Sequence, residues 1–143
     1  MVNMLIVYVA GRRLAVDASF VKAVIEVGNV APVPHCPAPI VGIAAQRSRA
    51  LTVIDCRLAT NSYAEDVEPD DLAVVVEHDG HDYGFIVDEV SEVEGIGGEP
   101  TRPAGGFGEG FEPFTIGLVE TGKGAALMVD LLALLFAERQ RAA

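Results

Sequence analysis

The sequence predicts an all-β barrel or sandwich. Short β-type runs such as Leu51-Thr52-Val53-Ile54 recur along the chain, bounded by Gly, Pro, Asn or Asp. Turn signals separate these runs roughly every eight to twelve residues, the spacing of small β-domains. One signal, Asp79-Gly80 between two apolar runs, is a strong short-range mark of a tight hairpin.

The elements follow in order. Leu5 to Val9 and Arg13 to Val16 read as strands across a Gly11-Arg12 turn, and Ala23 to Val27 as a third. Asp17 to Lys22 makes a turn or a single helical turn before that third strand. Pro34, Pro37 and Pro39 lack donors, so Ala31 to Ala38 is expected as an extended loop outside any central ladder. Gly42 then lets the chain bend between Ile40 and Ile43, and Leu51 to Ile54 is a strand ending in Asp55-Cys56-Arg57. The polar, acidic stretch Ala59 to Asp71 reads as a surface loop. Leu72 to Glu77 and Asp82 to Asp88 pair across Asp79-Gly80. Tyr83, Phe85 and Val87 fall on one face of the second strand, with Gly84, Ile86 and Asp88 on the other. Neither face is wholly polar, as expected of a strand in a small closed barrel.

Val90 to Glu94 continues as strand. Gly95 to Gly110 is dominated by Gly and needs tertiary contacts to hold one conformation; Phe107 and Phe111 are its large apolar groups, and Phe107 is expected to be exposed as a partner anchor. Ile116 to Glu120 and Ala125 to Val129 form a last hairpin. Asp130 caps an amphipathic helix, Leu131 to Arg139, whose final cations suit its C-terminus. Three apolar runs end in Asp (Asp55, Asp88, Asp130), a weak internal echo that suits two similar barrels.

Composition narrows the function. The 143 residues suffice for one domain with a genuine core. The net charge is −11, and the ten Lys and Arg residues are scattered, which argues against nucleic acid and anionic membrane surfaces as partners. The apolar stretch Met4 to Ala10 is too short to span a bilayer and lacks the flanks of a signal peptide, so a cytoplasmic location is expected. In that reducing compartment Cys36 and Cys56 are expected as free thiols, Cys56 being a small buried hydrophobe.

No constellation for catalysis emerges. Gly117 to Lys123 matches the opening of a phosphate-binding loop, but Gly124 stands where a Mg²⁺-binding hydroxyl is needed and a strand follows in place of a helix. His35, His78 and His81 lack metal-ligand spacing, so no metal or cofactor is expected. Asp88, Glu89, Glu92 and Glu94 read as a solvated strand face, and no serine lies in a nucleophile elbow.

Several stretches resemble the CheW-like family of chemotaxis coupling proteins. These are Pro37 to Gly42 as P-x-x-I-x-G, Arg47 five residues on, the strand ending Asp55-x-Arg57, Tyr83 to Val90 for the family's G-x-x-V-D-x-V strand, Arg102-Pro103, and the closing hairpin and helix. The resemblance spans nearly the whole chain. It implies two small SH3-like five-stranded β-barrels, interleaved along one domain of residues 1–143, with a short C-terminal α-helix. It also implies a non-catalytic adaptor between the regulatory domain of a CheA-type histidine kinase and the cytoplasmic tip of a methyl-accepting chemoreceptor, whose helical hairpin lies in a groove. Carried over by position, the receptor-groove residues are Val24, Glu26, Arg47 and Val93, and the kinase-contact residue is Phe107. Glu26 is the expected acidic neighbour that orients Arg47. The family's N-L-R-G is here Ala45-Gln46-Arg47-Ser48, keeping only the Arg, and Thr52 replaces a Pro. Alternatives are a divergent scaffold of another two-component pathway and a small-ligand or nucleotide-handling β-barrel enzyme.

Overall fold

The structure, a computed structural model, describes residues 2–35, 39–60, 66–108 and 110–135. Its strands are β1 (Val2–Val9), β2 (Arg12–Asp17), β3 (Val21–Glu26), β4 (Ile40–Gln46), β5 (Arg49–Asp55), β6 (Leu72–His78), β7 (His81–Val87), β8 (Glu89–Ile96), β9 (Thr115–Thr121) and β10 (Gly124–Val129). They form two five-stranded sheets, ordered β8-β1-β2-β10-β9 and β3-β6-β7-β5-β4. These are the two interleaved SH3-like barrels: the second is one continuous stretch, and the first takes its strands from both sides of it.

Local chemistry sets the turns. β1–β2 and β6–β7 are closed by Ala10-Gly11 and Asp79-Gly80, each with two successive positive φ angles (52° and 77°, 51° and 78°). That geometry matches the twist of a two-residue hairpin, and Gly supplies it without a Cβ penalty. Asp17 accepts the Ser19 N–H at 2.9 Å and caps the single 3-10 turn Ala18–Phe20. Elements not foreseen are the strand β4, the 3-10 turn Glu112–Phe114 and the short helix α1 (Cys56–Ala59), the last started by Asp55 accepting the Arg57 N–H at 2.9 Å. Asp130 accepts the Leu132 N–H at 3.1 Å in the same way, and residues 132–135 are helical. The rest of the predicted terminal helix, 136–139, lies outside the described residues, as does Cys36.

The two sheets repeat one another in register. Across the first, Val93 faces Leu5, Leu5 faces Val16 and Val16 faces Val129. Across the second, Val24 faces Val74, Val74 faces Phe85 and Phe85 faces Ile54. Asp130 and Asp55 follow the last residue of each row. In both sheets the third and fourth strands of the row run parallel, an uncommon arrangement for adjacent short strands. Gly117 and Gly42 occupy matching places beside a bulge, and each is overlain by a loop: a Cβ would strike Pro100 in one case and the Ala31 carbonyl in the other. The loops pair alike, Thr101 with Leu118 and Ala31 with Ile43.

This repeat explains why the strands are apolar on both faces. One set of side chains fills each barrel: Met4, Ile6, Ala15 and Val119 in the first, Leu51, Val53, Val75 and Ile86 in the second. The alternate set, including Leu5, Val7, Leu14, Ile54, Val74 and Phe85, joins Phe114 and Leu131 in one shared core. The period-two pattern is therefore apolar in both phases for the central strands.

Candidate functional site

The second barrel carries an open cleft at its edge. Its floor is Ala23, Val24, Ile25 and Val75; Lys22 and Asp82 lie at one side, and Gln46 of β4, Arg47 of the β4–β5 turn and Arg49 of β5 at the other, enclosing about 200 Å³. β3 presents Lys22, Val24 and Glu26 outward, while Val21, Ala23 and Ile25 turn inward. Val24 is 40% exposed on β3, an edge strand paired only with β6. Arg47 and Ser48 form the turn with φ of 48° and 67°, a left-handed conformation that costs residues with a Cβ on the order of 1–2 kcal/mol each. Among the described residues Arg47 has no hydrogen-bond or ion-pair partner.

The same place in the first barrel is closed. There the β9–β10 turn is Gly122-Lys123, and it is fastened to the neighbouring edge strand β8: Glu94 accepts the Gly122 N–H at 3.1 Å and Glu92 lies 3.5 Å from Lys123 Nζ. In the second barrel the matching turn has no such tie to β3, and the cleft opens between them. One fold thus carries the same corner twice, once fastened and once free.

Charge is organised around the cleft. Asp82, whose side chain is 5% exposed, takes Lys22 Nζ at 3.1 Å on both oxygens and stands 3.6 Å from Arg49 Nη2. Glu77 also accepts from Lys22 at 3.1 Å, and Arg49 donates to the Gly80 carbonyl at 2.7 Å. The Asp82 hydrogen bond, then that of Glu77, holds the Lys22 pKa above its ordinary value. Sequence reasoning missed this network. Its one signal was a carboxylate, Asp82, one residue past the start of an otherwise largely apolar strand.

Of the sequence-predicted site residues, the structure brings Val24 and Arg47 into this cleft. Glu26 is exposed at the end of β3 and makes no ion pair with Arg47, so the expected bracing is not formed among the described residues. Val93, 55% exposed, is the counterpart of Val24 in the other sheet and lines no part of the cleft.

A model of the CheW-like domain matches residues 3–139. The chain belongs to the CheW-like family. Among solved structures, the scaffolding protein TtCheW from Thermoanaerobacter tengcongensis superposes with a TM-score of 0.78 at 22% identity, covering 90% of this chain and 88% of that one. That likeness concerns the fold. No curated protein matches the sequence.

Two CheW-like motifs acquire physical roles. The Asp-x-Arg at the end of β5 is a clasp: Arg57 Nε and Nη2 donate to the two oxygens of Asp55 at 3.0 and 3.1 Å, and the guanidinium also lies 3.5 Å from Asp71 and 3.8 Å from Asp88. Asp88 in turn accepts the Ala10 N–H of the first barrel at 2.7 Å. Asp55 is 1% exposed, and its hydrogen bond is the first cause that raises the Arg57 pKa; through Asp88 the clasp reaches the first barrel.

The second is Arg102-Pro103, within the Gly-rich loop in which the expectation of an exposed Phe107 is overturned. Phe107 is 2% exposed and belongs to the shared core with Phe111 and Phe114. Glu112 supplies what the loop could not: it accepts the Phe107 N–H at 2.7 Å and both hydrogen bonds of Arg102, at 3.0 and 3.2 Å. Arg102 stacks over the Phe107 ring at 5.0 Å and Arg12 over Phe111 at 4.8 Å. The Gly-Lys-Gly segment is a plain hairpin, as expected. His81 bonds Thr52 at 2.8 Å, and among the described residues no three His, Cys, Asp or Glu side chains are grouped to hold a metal. No described helix is long and apolar enough to cross a membrane.

Proposed function

We propose that the protein is a non-catalytic adaptor that couples a CheA-type histidine kinase to the cytoplasmic tip of a chemoreceptor. The observation that carries this reading is the free corner of the second barrel, where an exposed Val24 and an unpartnered Arg47 share one open cleft in a CheW-like fold. The cleft suits helix-in-groove recognition, with Val24 receiving an apolar side chain and Arg47 a polar or acidic one. Phe20, 66% exposed just before β3, and Ile116, 56% exposed, line a separate apolar pocket. The kinase's regulatory domain engages another face, barrel against barrel. Because Phe107 is buried, its contribution there is to hold the exposed loop that makes the contact. A tagged copy used to capture partners from its own cell extract should return both a histidine kinase and receptors. Capture of neither would overturn the reading.

A further inference from the structure

We propose that Asp82 is a positioning residue that sets which helices the cleft accepts, by compensating Lys22 and Arg49 and leaving Arg47 as the single unpaired cation. This rests on the reading that a receptor hairpin docks at the cleft. Three cations (Lys22, Arg47, Arg49) and one carboxylate (Asp82) line it, and Glu77 stands against Lys22 from outside, so these five groups balance to one positive charge. Its location is fixed. Lys22 is bonded to both carboxylates at 3.1 Å, Arg49 is spent on Gly80 at 2.7 Å and on Asp82, and only the guanidinium of Arg47 remains for a partner.

The internal repeat supports the assignment. Asp82 faces Glu77 as Arg13 faces Tyr8 in the first barrel, so the two are counterparts. There Arg13 bonds Thr121 Oγ1 at 3.4 Å and lies over Tyr8 at 5.5 Å, fastening the strand to the β9–β10 turn. In the second barrel the same position carries the opposite charge and holds Lys22 of β3 and Arg49 of β5, stiffening both walls while the turn stays free. The partner that fits is a helix presenting an apolar side chain to Val24 and one carboxylate to Arg47. Additional carboxylates gain little, since the other two cations are already neutralised at short range.

The test uses the cytoplasmic-tip hairpin of a chemoreceptor from the same genome, together with versions in which each of its tip carboxylates is neutralised singly. Native protein should lose at least fivefold in affinity for one neutralised hairpin and little for the others, and Arg47→Gln should erase that difference. Asp82→Asn, which removes the compensating charge, should bind the native hairpin more tightly at low salt and lose affinity more steeply as salt rises. Glu77→Gln, at an exposed site that does not endanger folding, should show the same change in smaller measure. Native affinity and native salt dependence in Asp82→Asn (or in Glu77→Gln, should Asp82→Asn fail to fold), or native binding indifferent to every carboxylate, overturns the role given to Asp82 and leaves the docking reading standing. No binding of the hairpin to native protein overturns the docking reading itself.

Discussion

Arg47 sits in a left-handed turn at a cleft mouth, without a partner, in a chain of net charge −11. A planar guanidinium offers several donors to a partner's carboxylate or carbonyls, and an ammonium cannot reproduce that geometry. Arg47→Lys should therefore weaken hairpin binding about tenfold, or about 1.4 kcal/mol, with kinase binding and melting temperature nearly unchanged. Arg49→Lys should change little, its charge being held by Asp82 and Gly80. Isotherms for both partners on both variants check this. Phe107 behaves oppositely. A ring 2% exposed against Phe111 and Arg102 is core, so Phe107→Ala should cost about 3–5 kcal/mol in chemical denaturation, where an exposed anchor would cost little. Its sequence neighbours, nearly all Gly, gave no sign of packing because the atoms that bury it come from Arg102, Glu112 and the shared core. Cys56, by contrast, was readable: an apolar strand leads into it, it is 0% exposed, and burial pushes its thiol pKa up, leaving it unreactive.

At the level of elements, the hairpins were legible wherever the turn chemistry was local. Asp79-Gly80 announced β6 and β7, and Thr121 to Gly124 announced β9 and β10. α1 was not legible, because Cys56-Arg57-Leu58-Ala59 is too short to show a period, and only the capping contact of Asp55 creates it. The loop from Gly97 to Phe114 was hidden for a different reason. Its order depends on Glu112, whose pKa is lowered first by the Phe107 N–H and then by Arg102. A carboxylate held below its unfolded value contributes stability above that value and loses it as pH falls through the folded one. The loop should therefore loosen under acid, below the ordinary range for a glutamate. At neutral pH, Glu112→Gln should speed hydrogen exchange of the Phe107 amide while amides in β6 and β7 stay protected. Equal protection of the Phe107 amide in both proteins would remove Glu112 from this role.

At the scale of the molecule, the echo of three Asp-terminated runs proved to be structural. Asp55 and Asp130 end matched strands and cap matched turns, and Asp88 joins Asp55 in the clasp on Arg57. The duplication itself could not be read from residues, since Val93-Leu5-Val16-Val129 and Val24-Val74-Phe85-Ile54 share register and little else. Nor could the clasp, whose members come from four separate segments. Arg57→Met would leave Asp55 charged and buried without its partner, and should cost about 3–5 kcal/mol. A loss below about 1 kcal/mol, the range of exposed pairs, would show that the barrels do not depend on it.

The adaptor reading requires two partners held at once on different faces, with the cleft serving only one of them. The most direct test mixes purified protein with the receptor tip hairpin and the kinase regulatory domain and weighs the assemblies in solution. A ternary complex is predicted for native protein, and for Arg47→Lys one that needs about tenfold more hairpin to form while the binary complex with the kinase domain persists. Competition between the two partners for native protein, or loss of both in the Arg47→Lys variant, would contradict the account.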